Sequence, residues 1–457
     1  MAMIAKRRRT HPRSFLRSLR EFLTPALWKQ AEQAQSTCRR PSRWMTQPLI
    51  LTMLVMTWCC GDSQAERFEI AKGFTAVCLS KRRRPGRTVQ GFQKALARLP
   101  MPVLRAMAAG LRQRLLHLFE LRTDGWTVLG VDGSSLVCPR VAELDQRLDP
   151  PRRKNGGPVL WVTALVHLRT GLLWSWRLGK GYNRERQHLR ALLTTLPASA
   201  LVVADAGYGG YDLAQGLLAA GASFLIRVSA KDRLYSAAAL RGGRLSSADK
   251  QQVWCWPKQA RKKLLLPLPV RLIRLRDRRR RQEVWLLTNV LDSTRLSRAQ
   301  ATLYYRWRWE NEGFFRTYKR TLAKVKLQSR TVRLVHREAE GALLATQVLL
   351  AQGVQALPRR LRSLPVRRQG QAVPRCSPRQ VLLAIREVIL GHIGIRQQGA
   401  FRRRLAQALR DRRWRRSPKV KRSWPSRRPH VPLKPPKILT LTRMEKALLF
   451  QLLGQAA

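Results

Sequence analysis

The stretch SALVVADAGYGGYDLAQGLLAAG, residues 199–221, followed by ASFLIRVS at 222–229, decides the fold class. ALVVA is an apolar run of strand length that stops at Asp205 and a loop containing Gly207, Gly209 and Gly210. YDLAQGLLAA has the spacing of a helix and closes at Gly221, where a C-terminal glycine is favoured. ASFLIRVS is β-branched and apolar enough for a second strand. Upstream, TVLGVDGSSLV (127–137) is another strand-like run. PVLWVTALVHL and LLWSWRLG flank the turn Arg169-Thr170-Gly171 as a hairpin, and NRERQHLRALLTTL (183–196) is an amphipathic helix. Strands alternating with helices in this order predict an α/β domain built on a mixed sheet flanked by helices.

Outward from that core the texture changes on both sides. Residues 230–296 hold short strand-like pieces among basic turns, which predicts a β-rich insertion. A long helix is expected from about Ser297 to Leu327 and a second one over 336–357, so the core domain is read as 123–229 together with 297–357. Residues 1–122 read as a basic helical DNA-binding region. Residues 358–457 read as a basic C-terminal region with a linker, helical segments near 378–409 and a disordered part over 410–438.

Charge narrows the function. Ninety Lys and Arg stand against 26 Asp and Glu in 457 residues, a formal charge of +64. Self-repulsion on that scale is relieved by a polyanion, which points to nucleic acid, and arginine suits phosphate in particular. A merely solvated basic surface is the bland alternative. The seven cysteines are scattered and contain no C-x-x-C pair, so neither a disulfide framework nor a thiolate zinc site is expected. The longest apolar run, Pro48 to Cys60, is too short to span a bilayer and reads as a buried helix. A cytoplasmic, nucleoid-associated protein follows.

Acids are scarce, so their positions carry information. Asp132 ends the run TVLGV and Asp205 ends ALVVA. A carboxylate at the end of a buried strand is costly unless paired or bound to a cation, although Asp-Gly is also a common turn. In the long helix, YRWRWENEGFFRTYK spans Tyr305 to Lys319. At about 100° per residue, Tyr305, Arg308, Glu312 and Lys319 fall within about 60° of arc, while Glu310 points elsewhere. One acid, two cations and a phenol on one stripe is an odd choice for a core face, and a salt-bridged solvent face is the alternative.

Asp132, then Asp205-Ala206-Gly207-Tyr208, then Tyr305-x2-Arg308-x3-Glu312-x6-Lys319 resembles the DDE transposases of the bacterial insertion-sequence-four family. The family pattern has an Asp after a first strand, a D-x-G-Y strand-loop, and a helix reading Y-x2-R-x3-E-x6-K. The 106 residues between Asp205 and Glu312 also agree with its β-rich insertion. The resemblance covers roughly residues 125–355 and implies an RNase H-like fold in which Asp132, Asp205 and Glu312 converge as catalytic residues and metal ligands. Two Mg²⁺ ions, for which Mn²⁺ can substitute, would be the cofactors, with Asp132 bridging them. Tyr305, Arg308 and Lys319 would bind DNA at the cleavage point. The implied activity is cleavage at element ends and transfer of the 3′-hydroxyl ends into target DNA, by a homodimer on double-stranded DNA with no membrane involvement. The partners would be terminal inverted repeats and target DNA. A degenerate, non-catalytic nucleic-acid-binding protein and an RNase H-like nuclease without strand transfer are the other readings.

Overall fold

A computed structural model of the chain describes residues 14–35, 44–80, 83–151, 156–180, 184–229, 232–236, 251–277, 282–357, 376–408 and 435–456. The chain folds as two compact units. One comprises Met1–Glu120, Leu136–Leu160 and Phe315–Arg413; the other comprises Leu121–Ser135, Trp161–Phe314 and Trp414–Ala457.

The first unit is mainly helical. Its N-terminal part carries α1 (Phe15–Phe22), α2 (Pro25–Gln33), α3 (Thr46–Trp58), α4 (Gln64–Cys78), α5 (Val89–Arg98) and α6 (Met101–Leu118). Ser and Thr at 14, 24, 63 and 88 cap four of these, each hydroxyl accepting a backbone N–H of the first turn. The apolar run that begins at Pro48 forms the buried helix α3, with Ile50, Leu54, Val55 and Trp58 fully enclosed. The helix Val332–Ala356 is buried on nearly every side, and Trp58 donates its indole N–H to Ala345 O at 3.2 Å. Arg337 reaches Leu99 O at 2.7 Å, which fixes α5 on that helix. Helices Pro378–Ile389 and Ala400–Ala408 complete this unit. Among the described residues no helix is long and apolar enough to cross a membrane, and the described cysteines form no disulfide.

The second unit is built on one ten-stranded mixed sheet. Its strands are β1 (Thr127–Val137), β2 (Val159–His167), β3 (Leu172–Gly179), β4 (Ala200–Ala204), β5 (Ser223–Val228), β6 (Arg233–Ser236), β7 (Gln251–Cys255), β8 (Leu268–Asp277), β9 (Gln282–Thr288) and β10 (Lys437–Leu439). The order is β10-β6-β7-β8-β9-β5-β4-β1-β2-β3. β1, β4 and β5 run parallel, and β2 and β3 form the antiparallel hairpin. Backbone bonds from Leu168 N to Val128 O and from Cys138 N to Pro158 O set β2 antiparallel to β1. The order β3-β2-β1-β4-β5 with these directions is the RNase H-like arrangement.

The β-rich insertion extends this sheet. β9 pairs antiparallel with β5, and β8, β7 and β6 follow in antiparallel succession. The unpaired edge of β5 is thereby covered, which removes an aggregation liability. β10 pairs parallel with β6, so the chain beyond Lys437 is ordered, and most of the stretch 410–438 expected to be disordered lies outside the described residues.

The expected long helix from Ser297 is not continuous. Helix Arg298–Trp307 starts with a capping box at Ser297 and Gln300, and Glu310–Arg316 and a π-helical turn at Thr317–Thr321 follow separately. Between them the backbone tightens: Arg308 N bonds Tyr305 O and Asn311 N bonds Arg308 O, each only three residues back. Asn311 and Gly313 are weak helix formers at this point. The single-stripe geometry assumed for a uniform 100° turn therefore does not carry through to Lys319.

Candidate active site

Register places the first two acids side by side. β1 pairs β4 with Thr127 opposite Ala200 and Gly130 opposite Val203, and continuing that alignment two residues sets Asp132 level with Asp205. β4 pairs β5 with Ala204 opposite Ile226, so the next position sets Asp205 level with Arg227. Parallel neighbours at one level point to the same face, about 4.8 Å apart. That face is the one on which Val128, Leu201, Val203 and Leu225 form a core with Ala301 and Tyr304 of the helix Arg298–Trp307.

Asp132 was expected at the end of its strand, but β1 runs through it to Val137. Burial falls off at Asp132 all the same: the preceding residues are buried and Asp132 is half-buried. Its carboxylate accepts the Gly133 N–H at 2.8 Å. Asp205 caps the 3₁₀ turn Ala206–Tyr208, accepting Ala206 N–H at 2.8 Å.

Glu312 reaches the same place from the broken helix. Gly130, two residues before Asp132 on the same face, allows the helix to come close. A Cβ there would lie 2.7 Å and 2.9 Å from the amide atoms of Asn311, which is fully buried. Glu312 follows directly and is exposed. Burial pushes the Asp132 carboxyl above its ordinary value. The Gly133 amide and Arg308 oppose that shift, while the charges of Asp205 and Glu312 add to it. Asp132 thus feels the charges of Asp205, Glu312 and Arg308.

Two guanidinium groups face Asp205. Arg227 Nη1 lies 3.8 Å from Oδ1 and Arg308 Nη1 lies 3.9 Å from Oδ2. Arg308 also sits 5.5 Å over the rings of both Tyr305 and Trp309. The Tyr305 hydroxyl is buried without a hydrogen-bond partner among the described residues, and burial together with the Asp205 charge raises its pKa. Lys319 lies in the π-helical turn of the other unit, half-buried. Trp309, which follows the tightened turn, is 56% exposed.

Arg227, and Glu185 whose carboxylate lies against Gly133, carry no local sequence signal. Each is an ordinary residue in its own element, and only strand register or helix docking reveals its neighbours. Trp256 of the insertion is fully buried and donates to Leu265 O at 2.7 Å.

The donor set is hard oxygen: three carboxylates, one of them destabilised by the other two, which suits Mg²⁺ or Mn²⁺ over soft metals. Among the described residues no three His, Cys, Asp or Glu side chains stand close enough to share one ion. Mg²⁺ asks for fewer protein ligands, since it binds through one or two carboxylates and keeps several waters.

Residues 129–348 match the family described as Transposase DDE domain. Among solved structures, the cryo-EM synaptic complex of piggyBac transposase with hairpin DNA is similar at 14% identity and a TM-score of 0.41, over 90% of this chain and 83% of that chain. No curated protein matches.

Proposed function

We propose that the DDE transposase domain over residues 129–348 makes this chain a DNA transposase of the insertion-sequence-four type, which cuts element ends and joins their 3′-hydroxyl ends to target DNA. One observation carries the reading: Asp132, which the strand register sets level with Asp205, lies in the electrostatic field of both Asp205 and Glu312. The four-residue spacing Tyr305, Arg308, Glu312, Lys319 supports the finer family assignment.

Asp132 and Asp205 would hold one divalent ion, and Asp132 and Glu312 the other. Bound there, two Mg²⁺ ions would activate the attacking oxygen and stabilise the leaving one. In the first step a water oxygen bonds to phosphorus while the 3′ oxygen leaves and takes a proton. In the second, that 3′-hydroxyl attacks a target phosphodiester, loses its proton and displaces the target's 3′ oxygen. Arg308 and Arg227, both mostly buried at Asp205, can turn to the phosphate oxygens as charge develops. Tyr305, whose hydroxyl has no hydrogen-bond partner within bonding distance among the described residues, would donate to a DNA phosphate. Lys319 would add a further cation for the backbone.

DNA held at several points is consistent with the basic surface. A cavity of about 310 Å³ is lined by Arg177, Lys180, Arg184 and His188, with no acid among its lining residues. Its cations suit backbone phosphates. Synapsis of two ends would call for a homodimer on DNA.

The test is an end-joining reaction. A duplex carrying the DNA that flanks the coding region is incubated with the protein, Mg²⁺ and a second duplex. The expected result is joining of a 3′ end to the second duplex, lost in Asp205→Ala while DNA binding persists. Cleavage without joining would reduce the protein to a nuclease, and binding without cleavage would make it a non-catalytic DNA-binding protein.

A further inference from the structure

A fourth carboxylate approaches the same edge from the other face of the sheet. The pleat turns Gly133, next to Asp132, away from the face that Asp132 occupies. There it meets the helix Glu185–Leu192, which follows β3. A Cβ on Gly133 would lie 3.0 Å from Glu185 Oε1, 3.1 Å from Glu185 Cδ and 2.7 Å from Trp161 Nε1. Glycine at 133 is thus what admits the Glu185 carboxylate beside Asp132.

Glu185 is held there by its helix. His188 and Leu189, three and four residues on, share its face and are buried. His188 Nδ1 bonds the hydroxyl of Thr163 in β2 at 3.0 Å, which fixes the rotation of the helix. The carboxylate has little freedom to leave.

An independent observation points to a ligand. The Tyr208 hydroxyl belongs to the loop that follows Asp205, is only 2% exposed and has no hydrogen-bond partner within bonding distance among the described residues. It lies within the fields of both Glu185 and Asp132, with the Glu185 carboxylate and the Thr163 hydroxyl close by. A buried hydroxyl of this kind calls for a polar partner. A water bound to a cation at Asp132 would satisfy it, donating one hydrogen to the Tyr208 oxygen and another to Glu185.

We infer that Glu185 is a positioning residue of the divalent-cation site, acting through the ion's hydration shell beside Asp132, with Tyr208 completing the same shell. The inference rests on the reading of Asp132 as a metal ligand. It assigns an acid outside the Asp132, Asp205, Glu312 set, from an element that carries none of them.

The experiment measures Mn²⁺ binding to the full chain by calorimetric titration, without DNA, for wild type, Glu185→Gln, Glu185→Asp and Asp132→Asn. Gln keeps the shape beside Gly133, so a packing role alone would leave Mn²⁺ affinity unchanged. The expected result is a loss of about 10–100-fold in affinity for Glu185→Gln, partial recovery in Glu185→Asp, and weakened binding in Asp132→Asn. Wild-type affinity in Glu185→Gln alongside weakened binding in Asp132→Asn would overturn the inference and leave the catalytic reading standing. Wild-type affinity in Asp132→Asn would remove that reading, and the role of Glu185 with it.

Discussion

Arg308 lies 3.9 Å from Asp205, too far for a hydrogen bond and close enough for its charge to matter. Arg227 stands at 3.8 Å from the other carboxylate oxygen. Both guanidinium groups lie mostly buried at a carboxylate that is 44% exposed, so neither is locked to Asp205 by short bonds. Each is free to exchange that partner for a phosphate oxygen when DNA arrives.

Arg308→Ala should slow single-turnover nicking by about 10²-fold, the usual cost of losing one preorganised electrostatic group. Arg308→Lys should not restore the rate, because the planar guanidinium spans Tyr305, Trp309 and Asp205 where a point charge cannot. Wild-type nicking by the lysine variant would show that only net charge is needed.

Asp132 predicts a trade between stability and function. Its folded pKa is raised, chiefly by burial, so between the ordinary carboxylate value and that raised value the folded state binds more protons than the unfolded one. Stability therefore falls as pH rises through this window, and ionised Asp132 is destabilising at neutral pH. In chelator, Asp132→Asn should unfold at higher urea than wild type at neutral pH. The gain should vanish once the medium is acid enough to protonate Asp132 in both states. Urea titrations at several pH values check this; a variant less stable than wild type throughout would contradict it.

Gly130→Ala tests the close approach of helix to strand. The added methyl meets the buried Asn311 amide and Leu168 Cδ2, the latter at 2.4 Å. A destabilisation of about 1–3 kcal/mol is expected by denaturant titration, as for overpacking elsewhere. Nicking should fall further than stability explains, because the residue after Asn311 is Glu312. Full activity in the variant would separate Glu312 from this contact.

The basic cavity at Arg177, Lys180 and Arg184 should register in salt dependence. Each phosphate contact removed by alanine should make the slope of log K against log[salt] shallower by about 0.9. Fluorescence-anisotropy binding at several salt concentrations measures it. A triple variant with an unchanged slope would place the DNA elsewhere.

Much of this site was legible in the sequence because strand ends and short motifs are local. ALVVA ending in Asp205-Ala206-Gly207-Tyr208 marks a buried strand meeting a loop, and the spacing Tyr305, Arg308, Glu312 marks the third acid. What depended on long-range packing was not legible. Arg227 reads as a plain residue of β5 until register sets it beside Asp205. The break between Trp307 and Glu310 arises where Asn311 packs onto Gly130, about 180 positions earlier in the chain by sequence number, so no helical periodicity could reveal it. The same holds for β6–β9, whose composition suggests strands but not that they continue the catalytic sheet.

The most direct measurement is Mg²⁺-dependent release of a 3′-hydroxyl from DNA that flanks the coding region, compared between wild type and Glu312→Gln with DNA binding followed in parallel. Loss of release by about 10³-fold or more, with binding retained, is the predicted result, since a metal-held transition state depends on several kcal/mol from its ligands. Equal release by the two proteins, or release undiminished in chelator, would contradict the account.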